Sequence, residues 1–178
     1  MGKKKQVRHI ALIGMPSAGK TKVGKRLAAR LGYDFVDIDD RIREHCGAAT
    51  LQELVDALSP GEFSALESRV AIETVKSLAR STIIATGGSM VYHEKAMEVF
   101  SQRTHIIHLW ASFDTIARRI ARKPNRGIVF APGETLKDLY ARRVPLYERW
   151  AHRTVSANGN RTAAAKALAK DLQREKFF

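Results

Sequence analysis

The chain has one cysteine, Cys46, so an intramolecular disulfide is impossible and a thiolate metal cluster has no ligands to draw on. It also lacks any apolar run of the roughly 18 residues that a membrane-crossing helix takes. The opening Met1-Gly2-Lys3-Lys4-Lys5 leads into an apolar stretch too short and interrupted to be a secretion-signal core, so a cytoplasmic protein with no membrane partner is expected. Carboxylates are scarce: 18 acidic residues face 31 Lys and Arg, a formal charge of +13 that favours anionic partners. Aromatic residues are few, and no aromatic-rich recognition strand, zinc finger or helix-turn-helix pattern accompanies the basic surplus, which argues against nucleic acid. The six histidines show no metal-site spacing, and His105 and His108 fall in a strand pattern as packing or edge residues. With 178 residues, 44% of them hydrophobic and 28% charged, the chain suits one domain, 1–178, with a sizeable core.

What is present is organised around Gly14-Met15-Pro16-Ser17-Ala18-Gly19-Lys20-Thr21, which fits G-x-x-x-x-G-K-[ST] without a mismatch. Arg8 to Ile13 reads as a short apolar strand before it, and Thr21 to Leu31 as a helix after it, with Val23, Leu27, Ala28 and Leu31 on the apolar face. A polyphosphate needs several backbone N–H donors converging on it, and Gly14 and Gly19 let the backbone close around it through Ser17 and Ala18. The helix start adds unpaired N–H groups and a positive dipole end. Lys20 can reach the β/γ oxygens, and the Thr21 hydroxyl can ligate Mg²⁺. Binding of a nucleoside triphosphate, ATP, is expected.

Tyr33 to Asp39 reads as a second strand ending in alternating carboxylates, which would place Asp37 and Asp39 on one side of an extended segment at its carboxyl end. One can hold a Mg²⁺ water and the other can accept a proton from a hydroxyl, while Asp40 reads as the cap of the next helix. Short helices over 40–46 and 50–58 follow, then a break at Ser59-Pro60-Gly61 and a longer helix from about Glu62 to Ala79. A third strand, Ser81 to Thr86, is apolar enough for the centre of a parallel sheet and runs into Gly87-Gly88-Ser89, where bare backbone can approach a ligand. Helix 93–100, strand Thr104 to Trp110 and helix 112–121 come next. Periodicity then disappears between Arg122 and Gly133, a basic stretch with Pro124, Gly127, Pro132 and Gly133 that reads as a mobile lid over about 122–133. Helical character resumes from Thr135 to Trp150 with a kink or break expected at Pro145, before a last strand at Arg153 to Ser156 and a terminal helix from Arg161 to Lys176.

Taken together, the succession Gly14 to Thr21, Phe35-Val36-Asp37-Ile38-Asp39, Ala85-Thr86-Gly87-Gly88, Arg126 and Arg143-Val144-Pro145-Leu146-Tyr147 resembles the shikimate kinase family, small P-loop kinases of the nucleoside monophosphate kinase type. The similarity spans Ile10 to about Ser156. It implies an α/β fold in three layers, with a central five-stranded parallel sheet, helices on both faces, acceptor-binding helices over about 40–79 and a mobile lid, in a monomeric protein. It also implies that Lys20 contacts the β/γ phosphates, that Thr21 and Asp37 organise Mg²⁺, and that Asp39 partners the acceptor hydroxyl as base. Gly87 and Gly88 would line the acceptor site, Arg119 would lie against adenine, Arg126 would swing in with the lid, and Arg143 would hold the acceptor's carboxylate. Such a set is what phosphoryl transfer needs, since that chemistry is mostly positioning and charge neutralisation.

Two positions depart from the family pattern. Its F-R-x-x-E segment, whose arginine binds the shikimate carboxylate, reads Phe63-Ser64-Ala65-Leu66-Glu67 here, and the third glycine of its triplet is Ser89. A serine cannot make the bidentate, charge-assisted contact of a guanidinium, and Arg69 lies on a different part of the same helix. The chain is therefore either a rearranged shikimate kinase or a kinase of the same fold for another small hydroxylated acceptor, such as a sugar acid, polyol or nucleotide. A non-catalytic nucleotide- or RNA-binding protein is a third reading, opposed by the presence of Lys20, Thr21, Asp37 and Asp39 together.

Overall fold

Four of the five strands are only four or five residues long. In a computed structural model, which describes residues 8–122, 128 and 130–174, β1 (His9–Ile13), β2 (Asp34–Asp37), β3 (Thr82–Ala85), β4 (Thr104–Trp110) and β5 (Arg153–Ser156) form one sheet in the order β2-β3-β1-β4-β5. Every pairing is parallel, with Ala11 of β1 level with Ile84 of β3 and Ile106 of β4. All four residues of β3 are buried, and successive side chains point to opposite faces, so both faces of the sheet are covered. This is the expected five-stranded α/β architecture.

Among the described residues eight α-helices provide the cover: α1 (Lys20–Leu31), α2 (Ile38–Cys46), α3 (Leu51–Ala57), α4 (Pro60–Ser77), α5 (Glu94–Arg103), α6 (Phe113–Ala121), α7 (Leu136–Trp150) and α8 (Arg161–Arg174). Helix α1 packs on α8 and on the β1–β3 strands, α4 packs on α2 and α5, and α7 packs on β4. The core runs through fully buried Ile10, Leu12 and Ile13 of β1, Ile83 and Ile84 of β3, Leu27 of α1 and Phe100 of α5.

Local chemistry moves three expected boundaries. Helix α4 begins at Pro60, because Ser59 and Glu62 form a capping box and proline suits the first helical position, where its missing N–H has no partner to lose. Helix α7 passes through Pro145 without a break. Burial of Leu139 and Arg143 before the proline and Tyr147 after it, with a Thr135–Asp138 capping box at the start, holds the turn although Pro145 donates no hydrogen bond. Helix α2 starts at Ile38, two residues early, for a reason that belongs to the site. Residues 123–127 and 129, half of the expected lid and Arg126 with it, lie outside the described residues.

Gly24 fixes how closely α1 lies on the sheet. A Cβ there would stand 2.6 Å from the Phe35 ring of β2 and 3.3 Å from Leu12 of β1. Gly24→Val is therefore expected to destabilise the protein by about 1–3 kcal/mol through overpacking, read as a fall of several degrees in thermal unfolding, whereas an equally stable variant would show that α1 can lift away.

Candidate active site

The carboxyl ends of all five strands face one edge of the sheet, and β1 sits where the strand order reverses, the usual ligand crevice of an open α/β sheet. The loop after β1 takes backbone angles that favour glycine: Gly14 has φ +141° and Gly19 φ +110°, and Ser17 is held at φ +65°. A Cβ on Gly14 would lie 2.6 Å from the Leu109 carbonyl oxygen. Gly19 caps α1 without any side-chain hydrogen bond, so the first-turn N–H groups of the helix keep their positive end for an anion. Lys20 is buried, and its Nζ donates to the carbonyls of Gly14 at 2.6 Å and Met15 at 3.0 Å, which holds the ammonium across the mouth of the loop. Ala18 donates its N–H to the Met15 carbonyl at 3.1 Å and completes the turn.

Arg119 of α6 reaches this loop from the other side. Its guanidinium donates to the carbonyls of Ala18 at 3.2 Å and Ala157 at 2.7 Å, tying the phosphate loop to the segment after β5. Burial and the neighbouring Arg161 and Arg118 push its pKa down from the usual guanidinium range. Arg161 went unnoticed in the sequence, where it is one basic residue among many at the start of a terminal helix. In the fold its buried Nε has no hydrogen-bond partner, and it packs where a Cβ on Gly19 would meet it at 2.8 Å.

The two carboxylates sit differently from the extended pair expected. Only Asp37 belongs to β2; Asp39 is in the first turn of α2, because Asp37 itself caps that helix, its Oδ1 accepting the Asp39 N–H at 3.1 Å. The expected cap, Asp40, instead pairs with Arg43 at 2.6 Å. The other oxygen of Asp37 accepts a hydrogen bond from the Thr21 hydroxyl at 2.8 Å. This pair of hard oxygens fits Mg²⁺, which takes one or two protein ligands and completes its octahedron from water and phosphate. Among the described residues there is no group of three or more His, Cys, Asp or Glu that would suit a metal needing a full protein cage. Burial raises the Asp37 pKa, against the hydrogen bonds from Thr21 and Asp39 and the charge of Lys20. Burial first, then the charges of Asp37 and Glu67, push Asp39 up to about 7, with Lys20 pulling the other way.

Gly87 and Gly88 follow β3 and lie next to Asp39 and Arg143 respectively. A Cβ on Gly87 would stand 2.5 Å from Glu67 Oε1 and 3.0 Å from Asp39 Oδ1, and one on Gly88 would stand 2.8 Å from Pro16 and 3.0 Å from an Arg143 guanidinium nitrogen. Only a side-chain-free turn fits there. Arg143 is 4% exposed, donates from Nε to the Tyr92 hydroxyl at 3.2 Å and lies over that ring at 5.2 Å. Among the described residues no carboxylate forms an ion pair with it. Tyr147, one turn further along α7, donates to the Gly88 carbonyl at 2.6 Å and fixes the glycine turn against the helix. Ser64 lies 3.3 Å from His93, and Arg69 points elsewhere, towards His45, so no second guanidinium from α4 replaces the missing arginine.

Lys20, Thr21, Asp39, Gly87, Gly88, Arg119 and Arg143 thus line one cavity of about 570 Å³. It runs from the Arg119–Arg161 end, past the phosphate loop, to the Asp39–Arg143 end. His108, buried in β4 beneath Gly14, is a packing residue as expected, its imidazole kept neutral by burial and by Lys20, which push its pKa down to about 4.

A parallel sheet with a phosphate loop, a Thr–Asp oxygen pair, and a half-buried carboxylate and a buried guanidinium lining one cavity defines a P-loop phosphotransferase of small molecules. Within that class the sequence comparisons are specific. Residues 16–173 match the family model for shikimate kinase, and the chain belongs to the shikimate kinase family. It is 31% identical to the shikimate kinase of Bartonella quintana over 93% of its length and 79% of that protein. It is 34% identical to that of Thermodesulfovibrio yellowstonii, over 80% and 82%. Among solved structures, the shikimate kinase of Acinetobacter baumannii in complex with shikimate superposes with a TM-score of 0.83 at 30% identity, covering 97% of this chain and 94% of that one.

The raised pKa of Asp39 has a stability consequence. An unfolded aspartate ionises near 3.8, so the folded state holds its proton more tightly and loses stability as the pH climbs from about 4 through 7. Asp39→Asn removes that cost: its melting temperature should exceed the parent's by at least about 3 °C at pH 8 and match it below pH 4, and an unchanged or lower value at pH 8 would contradict the buried-carboxylate account.

Proposed function

We propose that this chain transfers the γ-phosphoryl group of ATP to a hydroxyl of shikimate, giving shikimate 3-phosphate and ADP. One observation carries the reading: half-buried Asp39 and buried Arg143, unpaired with each other, face the same cavity whose other half is the phosphate loop. A carboxylate that can take a hydroxyl proton and a guanidinium that can hold a carboxylate are what a hydroxylated acid needs at its two ends. Membership of the shikimate kinase family supports that acceptor.

Each side chain has a task in this reading. The N–H groups of Gly19, Lys20 and Thr21 at the start of α1, with the Lys20 ammonium, receive the β- and γ-phosphates. Thr21 and Asp37 would hold Mg²⁺, which neutralises phosphate charge when bound. Arg119 and Arg161 enclose the base end of the nucleotide. Arg143 orients the acceptor by its carboxylate so that the hydroxyl meets Asp39. The acceptor oxygen forms its bond to Pγ as the bond from Pγ to the β–γ bridging oxygen breaks. The hydroxyl proton passes to Asp39, whose affinity for it near neutral pH suits a base that must also release it. Arg126 is assigned to the transferring charge from its position in the lid sequence. Ser64 favours a second reading, a related hydroxy acid in place of shikimate, and a panel of such acids assayed beside it separates the two.

Steady-state ADP release with Mg-ATP and shikimate tests the assignment. Asp39→Asn is expected to lower kcat by about 10²–10⁴-fold with the KM for ATP within about threefold of the parent, and equal losses in both would sink the base assignment. Arg143→Met is expected to raise the KM for shikimate by about 10–100-fold and leave the KM for ATP alone, since it removes a buried charge-assisted contact.

A further inference from the structure

Glu67 is the most heavily constrained carboxylate in the acceptor half, and the residues that constrain it come from outside its helix. Its side chain is 3% exposed and lies in α4, one turn after Ser64. It accepts hydrogen bonds from the Ser89 hydroxyl at 2.7 and 2.8 Å and from His93 Nε2 at 2.8 Å. His93 caps α5, and its side chain is only 8% exposed. Because a carboxylate can only accept, Nε2 carries the ring proton. In the neutral ring Nδ1 is then an acceptor, and the Ser64 hydroxyl 3.3 Å away donates to it. Four side chains from α4, the glycine turn and the cap of α5 thus form one chain, Ser64 to His93 to Glu67 to Ser89, and both departures from the family pattern belong to it.

An arginine at position 64 would lie three residues before Glu67, on the same face of the helix, where i,i+3 partners meet. In this chain the ring that contacts both position 64 and Glu67 is that of His93. We propose that His93 is a positioning residue for the acceptor site: it holds Glu67 against Gly87 in the role an arginine at position 64 would fill, Ser89 supplies the second donor, and Arg143 is left to bind the acceptor's carboxylate alone. The geometry gives Glu67 a definite job. Its Oε1 stands where a Cβ on Gly87 would come within 2.5 Å, so it sets how far the Gly87-Gly88-Ser89 turn can move towards Asp39 and Arg143. Releasing Glu67 loosens the acceptor end and leaves the phosphate loop, on the other side of the turn, intact.

The inference rests on shikimate as acceptor, and the test separates the two. In the parent protein, shikimate turnover is measured first; its absence overturns the reading of the acceptor, not the hydrogen-bonded chain. The chain is then read without substrate, by ¹⁵N-resolved NMR of the histidine rings. His93 is expected to be the Nε2–H tautomer with a downfield proton that Glu67→Gln shifts or abolishes, and an Nδ1–H tautomer would overturn the proposal. With turnover present, His93→Leu should raise the KM for shikimate about tenfold or more with the KM for ATP within about twofold, as expected for loss of one hydrogen bond to a charged group. His93→Gln, whose amide can still donate to Glu67, should recover most of that loss, and Ser64→Arg in the His93→Leu background should recover it by a different route. A His93→Leu enzyme with unchanged shikimate KM, equal changes for both substrates, or failure of both rescues would each overturn the assignment.

Discussion

The acceptor half of the site depends on two opposite charges being kept apart. Half-buried Asp39 and buried Arg143 form no ion pair with each other. The turn lies between them, in contact with Asp39 and Glu67 on one side and with Arg143 and Pro16 on the other. Tyr147 fastens it to α7, and Glu67 closes off its travel. A desolvated carboxylate beside Asp37 and Glu67 is costly, and desolvation together with those two charges pushes the Asp39 pKa up. That cost belongs to a site built for a ligand that brings a hydroxyl to one charge and an anion to the other.

The donor half has a different economy. Nearly every element is backbone: the loop after β1, the start of α1, and the carbonyls of Ala18 and Ala157 that Arg119 joins. Lys20 lies across the loop on the carbonyls of Gly14 and Met15, and these contacts position its ammonium at the mouth of the loop. Because β1 is flanked by β3 on one side and β4 on the other, the loop that follows it receives the glycine turn from one neighbour and Arg119 of α6 from beyond the other. The parallel order of the sheet is thus what brings the two halves together.

What the sequence revealed and what it hid divide along the range of the interactions. The phosphate-loop motif is eight contiguous residues, so Gly14 to Thr21 could be read directly, and so could the five strands to within a few residues. Asp37 and Asp39 were recognisable as a functional pair, but not their geometry, because alternation in an extended strand and a cap followed by a helical turn place the same residues two apart. Pro145 argued for a break that the buried residues on either side of it prevent. The role of His93 could not be seen at all. It depends on contacts across 26 and 29 positions in the chain, and a lone histidine before a helix carries no local mark of them. Arg161 was hidden by composition, since in a chain of charge +13 one more basic residue has no contrast. The missing arginine at Ser64 was visible as an absence, and only the fold shows which side chain occupies its surroundings.

The central claim is that one cavity joins a nucleotide's terminal phosphate to an acceptor whose hydroxyl meets Asp39 and whose carboxylate meets Arg143. Phosphorus NMR of the purified protein with Mg-ATP and shikimate tests it most directly. The account predicts one new phosphomonoester resonance growing in step with ADP, one equivalent for each ATP consumed. ADP accompanied only by inorganic phosphate, or no change in the ATP resonances, would contradict it.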